Sequence, residues 1–180
     1  MRRLATLALC LSLLPTASRA APLDLLGFFE GSSVSAGETR TFLVFRDRFT
    51  AAFTGRLQNG TLVLDERFRF PEGPRLQRWR LRDEAGTIRG TVETENESGQ
   101  LAPPVAVTGT RNGDGVRLDY SGIAPGGGRR LGFRHEITPN GDGTLANRVS
   151  VRLWGIPVAR SRVTFAKSDA ALAAHDNPGR

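Results

Sequence analysis

The stretch Gly60–Leu81, GTLVLDERFRFPEGPRLQRWRL, decides the fold. Leu62, Leu64, Phe68 and Phe70 share one parity, whereas Val63, Asp65, Arg67 and Arg69 share the other. Alternation of period two is the signature of an extended strand with one face buried, because successive side chains point to opposite faces. Asn59-Gly60 opens the strand and Pro71-Glu72-Gly73-Pro74 closes it. Leu76–Leu81 then resumes as an antiparallel return. One position breaks the pattern: Glu66 sits on the apolar parity between Leu64 and Phe68. A carboxylate there must be paired, hydrogen-bonded or neutral.

The same rhythm extends in both directions. Toward the N-terminus, Thr41–Phe49 alternates and runs on toward Leu57; Asp24–Phe29 is either one helical turn or a short extended lead-in. Toward the C-terminus, Ile88–Val92, Val105–Thr110, Val116–Tyr120, Leu131–Ile137, Leu145–Leu153 and Val158–Lys167 alternate between turns rich in glycine, asparagine and proline. Glu93–Pro104 is polar, is broken by Pro103-Pro104, and reads as a long loop. About ten short strands and no convincing amphipathic helix define an all-β domain. Hairpin-length connections favour an antiparallel up-and-down β-barrel over the alternative, a two-sheet β-sandwich, which usually needs long crossings.

Met1-Arg2-Arg3, the apolar run Leu4–Leu14 and the small residues Ser18 and Ala20 read as a secretory signal over residues 1–20, cleaved after Ala20. The run is 11 residues long, against the roughly 20 that a membrane-spanning helix needs. A periplasmic or secreted location follows as the expectation, with the barrel over 21–167 and a flexible tail over 168–180. Cys10 is the only cysteine. Leu9 precedes it and only six residues separate it from Arg3, which argues against lipid anchoring. Without Cys10 the chain owes nothing to disulfides or zinc thiolates.

Three of the 25 basic residues leave with the signal, so 22 face 18 acids. The arginines are spread along strands among acids, without a clustered basic stripe, so no nucleic-acid partner is expected. Catalytic signatures such as G-x-S-x-G, H-E-x-x-H or a phosphate loop are lacking. The two Asn-Gly-Asp-Gly turns lack the terminal glutamate of a calcium loop, and His135 and His175 are the only histidines, so no cofactor or metal is expected.

Phe28-Phe29-Glu30-Gly31, Gly60–Phe68, Glu72-Gly73, Arg78-Trp79 and Asn147-Arg148, with Leu153-Trp154-Gly155 and Val163-Thr164-Phe165, also resemble a family of bacterial envelope proteins known as domain of unknown function 3833. The resemblance spans Leu25–Lys167 and brings no established reaction or ligand. Members are commonly labelled lipoproteins, from which the placing of Cys10 departs. Arg134, His135 and Glu136 stand where the family tends to carry acids and a tryptophan. At the level of fold the chain is also similar to lipocalin-like barrels, by analogy alone.

With the apolar parities inward, five strands each bring one polar residue inside: Asp47, Glu66, Tyr120, His135 and Asn147, with Trp79 nearby. Such groups form a rim or structural network, line a ligand cavity, or act chemically with Glu66 and His135 as an acid–base pair. The cavity reading makes the protein a non-enzymatic binder of a small amphipathic or apolar ligand, with Phe45, Phe49, Phe68, Phe70 and Phe133 as the apolar wall. The alternative is a filled barrel that serves an envelope protein partner through its outer face.

Overall fold

The computed structural model describes residues 22–41, 45–125 and 127–177. The expected signal segment lies outside them, as do Phe42, Leu43 and Val44 of the Thr41–Phe49 run. After a short helix α1 (Leu25–Phe29), ten strands follow: β1 (Gly31–Thr41), β2 (Phe45–Gln58), β3 (Thr61–Phe70), β4 (Gly73–Glu84), β5 (Thr87–Thr94), β6 (Val105–Asn112), β7 (Gly115–Ala124), β8 (Gly127–Pro139), β9 (Leu145–Leu153) and β10 (Ile156–Ala166). A second helix, α2 (Asp169–Asp176), ends the chain. Each strand pairs antiparallel with the next, and β1 pairs with β10 from Val34↔Ala166 to Thr41↔Ala159. The protein is a closed antiparallel up-and-down β-barrel. Closure leaves no row of unpaired backbone groups, so Gly-rich connections suffice.

Two local readings change. Thr41–Phe49 is not one strand: Thr41 ends β1 and Phe45 begins β2, pairing with Thr41. The segment GSSVSAGETRT escaped the alternation because its inward positions are small, yet Ser33 and Ser35 are buried. The tail over 168–180, in which Asp169–His175 reads as one helical turn or a frayed end, carries α2, capped by Ser168, whose Oγ accepts from Ala171 N at 3.2 Å. His175 of that helix meets Asp142 in the β8–β9 turn at 2.6 Å. Hydrogen bonds from Thr144 and His175 hold the Asp142 carboxyl well below the usual range.

The two ends of the barrel differ. At the end holding the β2–β3, β4–β5, β6–β7 and β8–β9 turns, α1 forms a plug. Asp24 caps the helix, with Gly27 N donating to its Oδ1 at 3.0 Å. Leu25, Leu26 and Phe29 then face inward, and Phe29 meets Phe53 and Phe165 with ring centroids 5.3 and 5.2 Å apart. The plug sits tightly because β2 offers no side chain at Gly55, where an added Cβ would fall 1.9 Å from the Phe29 carbonyl oxygen. Lys167, the chain's one lysine, donates to the carbonyls of Phe28 and Glu30, each at 2.8 Å. Leu62, Leu64, Leu81, Ile88, Val107, Val116 and Leu118 fill this half of the barrel.

Candidate functional site

The opposite half is hollow. A cavity of about 510 Å³ opens between the β1–β2, β3–β4, β7–β8 and β9–β10 ends, within the range of small-molecule sites. Its wall is apolar. Phe49, Phe68 and Phe70 form one aromatic group with centroids 5.3 to 5.8 Å apart. Phe133 stacks on Tyr120 at 4.7 Å, and Val149, Val151, Val158 and Val163 complete the far side.

The floor is polar. Glu66, Gln77, Tyr120, His135 and Asn147 come from β3, β4, β7, β8 and β9 and meet at mid-barrel. Parity turns each inward, and the layer rests on Trp79. The indole N–H donates to Glu66 Oε2 at 3.0 Å, and the indole ring meets His135 edge-on at 5.9 Å and Tyr120 at 5.4 Å. Gln77 donates to Thr94 Oγ1 at 2.9 Å.

Burial decides the charge state of this floor. Glu66 is 9 % exposed, and desolvation raises its pKa from 4.5 to about 8, with the indole bond opposing. Desolvation lowers His135 from 6.5 to about 4 and pushes Tyr120 above its ordinary value. Near pH 7 the carboxyl is therefore protonated, the imidazole neutral and the phenol intact. A site of five polar residues carries no formal charge.

Its hydrogen bonding is incomplete. Asn147 Nδ2 lies 3.1 Å from His135 Nδ1, while His135 Nε2 and Asn147 Oδ1 have no partner among the described residues. If the amide N–H donates to Nδ1, Nε2 carries the proton and is a free donor beside the free amide oxygen. With the amide turned over, Nε2 is the free acceptor beside free amide N–H groups. In either arrangement the pair offers at least one donor and one acceptor, which unfilled would cost stability.

Of the residues expected inside, Glu66, Tyr120, His135 and Asn147 are gathered at the floor, Phe68, Phe70 and Phe133 line the wall, and Asp47 stands at the exposed rim. Trp79 supports Glu66 from below rather than lining the space. Phe45 is 66 % exposed and lies off the cavity, because β2 extends past the rim there. Glu66 and His135 do not form a direct acid–base pair: among the described residues the carboxyl bonds Trp79 and the imidazole bonds Asn147. The sequence reading missed Gln77, readable from its parity with Trp79, and the Thr39–Ser161 hydroxyl pair at 2.7 Å, which had no such signal.

Fold and site together define a closed β-barrel that is solid at one end and hollow at the other. The model of the family described as "Protein of unknown function (DUF3833)" matches residues 6–167, and the chain belongs to that family. No curated protein matches it.

Proposed function

We propose that this is an exported envelope protein that carries one small amphipathic ligand in the hollow end of its barrel. The observation that carries this reading is the 510 Å³ cavity, with an aromatic and aliphatic wall above a buried polar floor. The ligand's apolar body would lie against Phe49, Phe68, Phe70 and Phe133. An uncharged head with one donor and one acceptor, such as a protonated carboxyl, a hydroxyl or an amide, would complete His135 and Asn147. A charged head is disfavoured by a floor that has already shed its own charges.

Export rests on the basic, apolar and small-residue order of the first 20 residues, and Cys10 is poorly placed for lipidation. Protein taken from the native envelope should begin at Ala21 by intact mass. Native mass spectrometry of the same sample should show a bound species in the size range of a lipid or other small apolar molecule. A single unliganded mass, together with no saturable uptake of an apolar fluorescent dye, would remove the binding reading. Dye uptake that a Val151→Trp substitution in the wall fails to reduce would place binding elsewhere.

A further inference from the structure

Arginines that are scattered along the chain are collected by strand register. On the outer face, Arg46 of β2 lies opposite Arg40 of β1, and Arg40 lies opposite Arg160 of β10. One row farther from the mouth, Arg48 and Arg162 flank Glu38. Arg162 in turn lies opposite Arg148 of β9. Like charges facing each other across a ladder are destabilising, so this array works against the fold. Single arginines of β4, β6 and β8 are matched instead: Arg78 to Asp65 at 2.7 Å, Arg111 to Asp83 at 2.8 Å and Arg134 to Asp119 at 2.7 Å. Within the array the sole ion pair among the described residues is Arg40–Glu38 at 2.8 Å.

The array adjoins a second feature. The three most exposed large apolar side chains of the described residues all stand at the mouth: Trp154 at 83 %, Phe45 at 66 % and Ile156 at 64 %. The β9–β10 hairpin reaches past the last pair of the β1–β10 ladder. Thr41 pairs with Ala159, and β10 continues past that pair to Ile156, three residues or roughly 10 Å farther. Trp154 stands in the turn with φ 53°, a conformation that suits asparagine or glycine and is unfavourable for a bulky aromatic. The fold thus holds a tryptophan in water at a site where a small polar residue would be more stable.

We propose that this rim docks on an anionic lipid bilayer, with Trp154 and Ile156 entering the headgroup region and the arginines of β1, β2 and β10 binding lipid phosphates. Either signal alone is weak, whereas apolar insertion plus a basic patch is the combination that holds a peripheral protein to a membrane. Tryptophan favours the headgroup level. A nucleic acid would instead call for π-faces along the basic track, and Ile156 has none. The cavity mouth then faces the bilayer. The inference stands apart from what fills the cavity.

Trp154 supplies the assay, since the other tryptophan, Trp79, is buried. Purified protein is mixed with phosphatidylglycerol-containing vesicles or with pure phosphatidylcholine vesicles at low salt. Expected are co-sedimentation and a blue shift of tryptophan emission with the anionic vesicles only, both lost at high salt. Arg40→Gln, Arg46→Gln and Arg160→Gln should each weaken partitioning about fivefold. The corresponding lysine variants should retain most of it. Trp154→Ser with Ile156→Ser should abolish sedimentation and leave the fold and any dye uptake intact, which separates this result from failure of the binding reading. No anionic binding, equal binding to both vesicle types, binding unchanged in the serine variant, or preferential binding of a single-stranded oligonucleotide would overturn the proposal.

Discussion

Replacing Glu66 by glutamine should remove a specific pH dependence from the stability of the barrel. The folded-state pKa of Glu66 is about 8 against an ordinary 4.5, so folding favours its protonated form. That stabilisation is complete below pH 4.5 and is lost as the pH climbs through about 8. His135 acts in the opposite sense: its value falls from 6.5 to about 4, so its contribution is complete above pH 6.5 and lost toward pH 4. In wild type the two slopes cancel between pH 4.5 and 6.5 and give a plateau, above which stability falls. Glutamine keeps the shape and the oxygen that accepts from the Trp79 indole, but it does not titrate. The variant should therefore climb through the wild-type plateau and stay level above it. A single proton is worth roughly 1.4 kcal/mol per pH unit, so the difference between the two curves should widen by roughly 3 kcal/mol from pH 5 to pH 7.5. Urea unfolding of both proteins at half-unit intervals measures it, and every other titrating group cancels in the subtraction. A difference that stays constant with pH would mean that Glu66 reaches solvent and ionises normally, and the neutral floor would not exist.

Four further substitutions probe separate parts of the molecule. Glu66→Ala at pH 5 should cost roughly 1–3 kcal/mol by stranding the Trp79 N–H, while Asp65→Ala, on the outer face with Arg78, should cost under about 1 kcal/mol in the same urea assay. Gly55→Ala should lower the thermal midpoint by several degrees or prevent folding, because the new methyl would collide with the Phe29 carbonyl; near wild-type melting would show that the plug is mobile. Lys167→Met should cost about 1 kcal/mol and raise hydrogen exchange at Leu25–Phe29 while leaving β5 and β6 unchanged.

Much of the barrel was legible because β3 and β4 are each half buried, and one buried face imposes strict alternation on the sequence. The inward polar set followed from the same rule applied at Glu66, Tyr120, His135 and Asn147. β1 was not legible. It is inward-facing at Ser33, Ser35 and Gly37, where Ser33 lies opposite Phe53, Ser35 opposite Phe165 and Gly37 leaves room for Phe49, and small residues carry no hydrophobic rhythm. The loop Glu93–Pro104 looked unordered because its order comes from bonds that carry no hydrophobic rhythm: its first two residues finish β5, Glu95 bridges Leu101, and Asn96 Oδ1 accepts from Ser98 N, Ser98 Oγ and Gln100 N. The basic patch was hidden for a different reason. Arg40 and Arg160 are 120 positions apart in the chain and direct neighbours across a ladder, and no window along the sequence contains both.

The β1–β10 seam has a consequence for how the molecule comes into being. Every other ladder joins strands that follow one another, but this one waits until the chain from Val34 to Ala166 has been laid down. Closing so long a loop carries the largest entropic penalty in the barrel and belongs late in folding. The free flanks of β1 and β10 are meanwhile open edges, able to pair with those of another molecule. Lys167 holds the first and last segments of the chain together beside Phe28 and Glu30, so a short linker there could join them. A circular permutant opened at the Glu93–Pro104 loop would turn the slow seam into a local hairpin and shift the late closure to β5–β6. Its refolding order would then invert while its folded barrel stayed the same.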